Sequence, residues 1–326
     1  MSWLKRNGKQ LRAYLPEITV IGFIVLAVFS KALASPYPFF ISGEIPDAGS
    51  NFPWFKNTFA ETPDGVSYRK LATEPDRFSI FSPVPYGPLE TNLENRLMPP
   101  SFDRFGHYMG TDELGRDVFA RIIHGTANSM LVGLVAVGIA LIAGILIGSL
   151  AGYFGGYTDL IISRFIEIVI CFPTLILIMV VLSLLKPSLL NIMVVIGITG
   201  WTGIARVIRS EFLKRKKMDY VTAARSLGSS HARIIFLHIL PNSLGPVLVM
   251  TAFGIASAVI TESALSFLGI GVPAPEPSWG QILKVSQEYP DIAWWLTFYP
   301  GLFIFITVLA YNYLGDKYRK ILNPRE

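Results

Sequence analysis

The stretch DYVTAARSLGSSHARIIFLHILPN, Asp219 to Asn242, decides how this chain is read. It lies between two long apolar runs, yet it is charged, helix-forming and punctuated. Asp219 stands where an N-cap would, Tyr220 to Leu227 can make about two helical turns, and Gly228 suits the left-handed residue that ends a helix. Ser229 or Ser230 can cap a second helix, which Pro241 separates from the next apolar run. Such a unit between apolar runs is either a surface for a partner to grip or a solvated connector. Its residues alone leave both readings open.

Composition sets the class. The 326 residues are 52% hydrophobic and 16% charged, with a mean hydropathy of +0.48. A soluble chain carries about a quarter charged residues, so a polytopic membrane protein is expected. The net charge of +5 does not point to nucleic acid, because the basic residues gather beside apolar spans, the pattern of membrane topology. Cys171, the single cysteine, rules out an intrachain disulfide and is expected to pack in the core.

Outward from the central stretch, six spans are expected. A basic start (Lys5, Arg6, Lys9, Arg12) precedes an apolar run from Leu15 to Ala34 that is long enough to cross a ~30 Å hydrocarbon layer. A cleaved signal peptide is the rival reading of that run. The second span covers Ser129 to Leu150, and Gly144, Gly148 and Gly152 fall on one helix face where helices can approach closely. Ile161 to Leu185 makes the third, kinked at Pro173, with Arg164 and Glu167 one turn apart. Leu189 to Ile208, Ser243 to Leu268 and Trp294 to Leu314 complete the set. The connector around Lys214–Lys217 and the tail with Lys317, Arg319 and Lys320 are basic, which places both, and the N-terminus, in the cytoplasm. The domain reading is therefore a first span in 1–34, an irregular extracytoplasmic insertion in 35–127, and a five-helix core in 128–326 with a cytoplasmic loop at 209–241.

Sequence motifs exclude some chemistry. There is no GxxxxGK[ST] phosphate loop, no HExxH and no GxSxG, and the four histidines lack metal-ligand spacing. An enzyme is not expected, and no cofactor or metal is expected on this chain. Glu262, an intramembrane carboxylate, lines a cavity or bonds between helices, and both readings stand. An ion-driven secondary transporter is the main alternative function, although no internal repeat is visible. An intramembrane hydrolase and a membrane scaffold are weaker alternatives.

Ala223-Ala224, Gly228 and Ile239-Leu240-Pro241 resemble the EAA loop of ABC-importer permeases, with Thr222 where the family has its leading Glu. Two further stretches resemble the dipeptide, oligopeptide and nickel branch, and within it the C-type subunit. One holds Gly110-Thr111-Asp112, Gly115-Arg116-Asp117, Arg121 and Gly125. The other holds Glu262, Leu265 to Gly269 and Ser278-Trp279-Gly280. Leu314-Gly315-Asp316 and Asn323-Pro324 also fit. Thr111 and Asp112 are expected to cap the helix that enters the membrane, with substrate contact as the alternative.

The resemblance implies an all-α polytopic protein of type I importer permease architecture in the bacterial inner membrane. It implies coupling to ATPase subunits through Asp219, Thr222, Ala223, Ala224, Gly228, Ile239, Leu240 and Pro241, and a translocation path near Glu262 and Ser266. The implied partners are a second permease chain, two cytoplasmic ATPase subunits that hold ATP and Mg2+, an extracytoplasmic solute-binding protein and membrane lipid, with no nucleic acid. Peptide leads as the solute, with nickel behind it.

Overall fold

The computed structural model describes residues 2–42, 51–58, 67–74, 77–103 and 105–322, with the backbone alone over 2–13. The basic N-terminal side chains, parts of the insertion and the Asn323-Pro324 pair lie outside the described residues. In chain order the described elements are α1 (Ser2–Val28), α2 (Ser30–Leu33), β1 (Phe40–Ile41), α3 (Pro53–Asn57), α4 (Tyr68–Leu71) and β2 (Ser79–Ile80). They continue with α5 (Val118–Phe154), α6 (Gly156–Ile170), α7 (Thr174–Ser183), α8 (Leu189–Arg215) and α9 (Asp219–Ser226). The last three are α10 (His231–Phe267), α11 (Trp279–Ser286) and α12 (Trp295–Leu322).

Among the described residues α5, α8, α10 and α12 are long and apolar enough to cross a membrane. The α6–α7 pair passes the same test as one broken span, bent by 81°. That gives four spans, or five with the bent pair, against the six expected. The kink expected at Pro173 is a break, because a residue before proline is disfavoured in the α region and the helix ends at Ile170. Cys171 lies at this break and is exposed, not packed as expected.

The chain divides into two compact units. The first comprises Met1–Val20, Leu131–Glu262 and Ile306–Glu326. Its core rests on close approach of α5 to α8. A Cβ at Gly144 would stand 2.7 Å from the Ile204 Cβ, and one at Gly152 would stand 2.7 Å from the Arg209 carbonyl oxygen. Gly197 of α8 answers from the other side, 2.7 Å from the Ile139 Cβ. Small residues at these spacings let the backbones meet, which is how helices associate where apolar solvent removes the hydrophobic drive. Asp159 of α6 is paired with Arg209 of α8, and Arg164 with Glu167 at 2.6 Å on an exposed face.

The second unit comprises Ile21–Met130 and Ser263–Phe305. The helix expected to run to Ala34 stops at Val28, because the chain turns to pair with a later segment. Ser35 donates its N–H to the Val84 carbonyl at 3.1 Å, and Val84 donates to Leu33 at 3.0 Å. The insertion is irregular, with β1 and β2 in a two-stranded antiparallel pair, Phe40 opposite Ile80. Trp279 is fully buried and donates its indole N–H to the Ile122 carbonyl.

Capping of α5 differs from the expectation. Asp117 caps it, accepting the Ala120 N–H at 2.7 Å. Asp112 instead closes its own turn, accepting the N–H groups of Leu114 and Arg116 and the Arg116 side chain at 2.7 Å. The reason is spacing: α5 starts at Val118, so only Asp117 stands next to its free N–H groups.

Candidate functional site

The site is built on α9. Its eight residues carry Asp219 in the first turn and Arg225 in the last, both of the sign that complements the helix dipole. The N-cap position belongs to Met218, which makes no side-chain cap bond, so Asp219 is not the cap it was expected to be. At the other end Gly228 has φ +75°, the Gly228 N–H bonds to the Arg225 carbonyl at 3.0 Å, and the Ser229 N–H reaches back to Ala224 at 3.1 Å. This paired closure needs a left-handed residue, which glycine supplies without steric cost. Ser230 then caps the next helix, accepting the Arg233 N–H at 3.3 Å.

One face of α9 is inside. Val221 is fully buried and Ala224 nearly so. Val221 joins a core with Ile234, Ile235 and Ile239 from the start of α10, Ile208 and Phe212 from α8, and Tyr153 from α5. Each fully buried Val or Ile contributes about 1.5–3 kcal/mol, so α9 is fixed to three spanning helices by several such contacts. Two polar links add to it. The Tyr153 hydroxyl and His231 Nδ1 lie 2.7 Å apart, and Lys216 Nζ donates to the Gly152 carbonyl at 2.9 Å.

The other face is outside. Asp219, Tyr220, Thr222, Ala223, Arg225, Ser226, Leu227 and Gly228 are exposed. The Ala223-Ala224 pair is thus divided: Ala223 faces out, while Ala224 is small because it fits the chain's own core. Ile239 is fully buried, Leu240 half-buried and Pro241 exposed.

Leu227 is 86% exposed, an apolar side chain held out beside the cap that closes α9. Sequence reading passed over it because a leucine at the end of a helix looks like core. The helical spacing of Val221 and Ala224 was the available signal for the inner face.

Pro241 does not separate the second short helix from the span, contrary to expectation. The helix runs through it from His231 to Phe267. Ile234–Ile239, separated from the proline by Leu240 alone, is a π-helical segment. Its wider turn takes up the clash that a proline ring makes with the preceding turn of a regular α-helix. The second short helix and the fifth expected span are therefore one continuous rod of 37 residues, roughly 55 Å long at 1.5 Å per residue. That exceeds the hydrocarbon thickness, so part of the rod projects beyond it.

Glu262 and Ser266 are both buried within the chain, and the Ser266 hydroxyl accepts the Val272 N–H at 3.1 Å. An open cavity of about 330 Å³ lies instead beside residues from α5, α7, α8 and α10, with Thr174, Thr199, Ser257 and Thr261 among its polar lining. Among the described residues no charged side chain lines it. Among the described residues no group of three or more His, Cys, Asp or Glu could hold a metal ion.

Residues 144–326 match the family model described as binding-protein-dependent transport system inner membrane component. The chain belongs to this family. As such a permease it is a non-enzymatic, multi-pass protein of the bacterial inner membrane. It is 40% identical over 236 residues to the dipeptide transport system permease protein DppC of Alkalihalophilus pseudofirmus, covering 72% of this chain and 77% of that one. It is 38% identical to the di/tripeptide permease DppC of Pseudomonas aeruginosa over 252 residues, 76% of this chain and 83% of the relative. The oligopeptide permease OppC of Bacillus subtilis is 38% identical over 251 residues, 76% and 81% respectively. A solved inward-facing form of the MetNI methionine ABC transporter, 17% identical, aligns over 63% of this permease and 97% of its own chain with a TM-score of 0.51. That likeness is one of fold, the type I importer permease architecture. The ion-driven transporter and the intramembrane hydrolase find no support beside it.

Proposed function

We propose that this permease forms one wall of the translocation pathway of an ATP-driven peptide importer, and that α9 with its Leu227–Gly228 cap is where an ATPase subunit grips it. The observation that carries the reading is the two-sided α9, bonded inside to α5, α8 and α10 and presenting Leu227 outside. A push on the exposed face would pass to three spanning helices, since the inner face packs directly on their side chains. ATP binding by the partner then supplies the differential affinity that shifts the pathway between outward and inward access. ATP and Mg2+ are held in two ATPase subunits, not in this chain.

The remaining partners are a second permease of different sequence and an extracytoplasmic solute-binding protein. Peptide is the favoured solute because the relatives are named for dipeptides and oligopeptides. The uncharged cavity with Thr174, Thr199, Ser257 and Thr261 in its lining suits hydrogen bonding to peptide groups of varied side chains. Glu262 and Ser266, both buried, serve as helix-packing residues in this conformation. A total of six spans, with cytoplasmic termini, follows if α1 and the bent α6–α7 pair each cross once.

The test is gentle purification of the tagged chain from its own membrane, with mass identification of the subunits that accompany it, native beside Gly228→Asp. An ATPase and a second permease should accompany the native chain, and the ATPase should be lost from the variant. A native chain that emerges alone, from membranes in which other transporter complexes survive, would overturn the proposal.

A further inference from the structure

Three spanning helices bring basic residues to one end of the first unit. Lys214 and Arg215 close α8, Arg319 lies in the last turn of α12, and Asn242 opens the apolar part of α10. They line a half-open cleft of about 380 Å³. Its floor is apolar, formed by Pro246, Val249 and Leu322. Among the described residues the one carboxylate in the lining, Glu211, is bonded to Arg215 at 3.0 Å. Among the described residues the lining carries three cations, Lys214, Arg215 and Arg319, against that single acid. The cleft is of the size that small ligands occupy.

We propose that this cleft binds a phosphate oxyanion, carried by an anionic phospholipid headgroup or by free phosphate. Coulomb attraction and the guanidinium geometry of Arg319 select a phosphate group. The apolar floor favours the lipid as its source. A headgroup there would lie against Val249 and Leu322 with its glycerol and first methylenes, while its phosphate meets Lys214, Arg319 and the Asn242 side chain. Basic pockets between helices at the cytoplasmic surface are suited to anionic headgroups, each nearby cation adding about fivefold to binding. The cleft uses α8, α10 and α12 at once, so an occupant would tie two of the helices packed against α9 to α12.

The experiment is native mass spectrometry of the full chain released from phosphatidylcholine nanodiscs doped with phosphatidylglycerol. Native protein should retain phosphatidylglycerol, while Lys214→Gln and Arg319→Gln should each retain it about fivefold less. Lys320→Gln, one residue from Arg319 but outside the cleft, should match native. Thermal unfolding run in parallel should show all variants folded, because the substituted residues are exposed. Added inorganic phosphate separates the sources. Displacement of the lipid means that the oxyanion alone fills the cleft, and retention means that the apolar floor holds a lipid; either supports the site. Native-level retention by both cleft variants, or an equal loss in Lys320→Gln, would overturn it.

Discussion

Gly148 of α5 faces Ala205 of α8 so closely that a Cβ on it would stand 3.0 Å from the Ala205 Cα and run into the Ala205 carbonyl oxygen. Backbone cannot give way as a flexible side chain can. Gly148→Ala should therefore destabilise the chain by about 1–3 kcal/mol, the usual range for overpacking. Gly138, on the same helix, would have nothing among the described residues within 4 Å of an added Cβ, so Gly138→Ala should be neutral or stabilising by up to about 1 kcal/mol. Thermal unfolding of both variants in the same detergent checks the pair. Equal effects would count against tight α5–α8 contact.

Asp117 serves two groups at once. One carboxylate oxygen accepts the Ala120 N–H at 2.7 Å, and the other lies 2.8 Å from His107 Nδ1, with both side chains buried. Asp117→Ala should lose the cap, about 1 kcal/mol, and leave His107 short of a partner at about 1–3 kcal/mol more. Asp117→Asn keeps an acceptor for Ala120 and should cost less. Their order in denaturation midpoint is the readout.

Glu113 gives a pH dependence. Burial, and then the neighbouring Asp112 carboxylate, push its pKa above the ordinary glutamate value, while Arg116 opposes the shift. A carboxyl whose folded pKa is raised binds protons more readily in the folded state. Its charge is therefore a penalty at neutral pH, and the penalty fades as pH falls through the raised pKa towards the unfolded value of about 4.3. Glu113→Gln should melt higher than native at pH 7 and converge with it near pH 4. A variant that melts lower than native at neutral pH would mean that the Arg116 contact, 3.7 Å away, dominates.

Much of this was legible in the sequence because periodic or chemically singular residues carried it. Glycines four apart at 144, 148 and 152 can only be neighbours on one helix face, and Gly228 after a short helix has few other uses. What escaped depended on context. Asp112 and Asp117 look alike as caps in GTDELGRD, and only the position of Val118 as the first helical residue decides between them. Pro173 and Pro241 carry the same local penalty, yet one breaks its helix and the other is absorbed by a π segment that no single residue announces. Ala223 and Ala224 are identical in sequence but opposite in burial, a matter of one step around α9. The cavity with Thr174, Thr199, Ser257 and Thr261 in its lining gathers residues far apart in the chain, so no local pattern could reveal it.

On the proposed function, the exposed tip of α9 receives the force that drives transport. The most direct measurement is ATP-dependent uptake of a labelled dipeptide by the reconstituted importer, native beside Leu227→Asp. Leu227 makes no part of the buried core, so the variant should fold and melt as native does. Its uptake should fall at least tenfold while its stability is unchanged, as expected when a desolvated apolar anchor is replaced by a charge. Native-rate uptake by Leu227→Asp would contradict the claim.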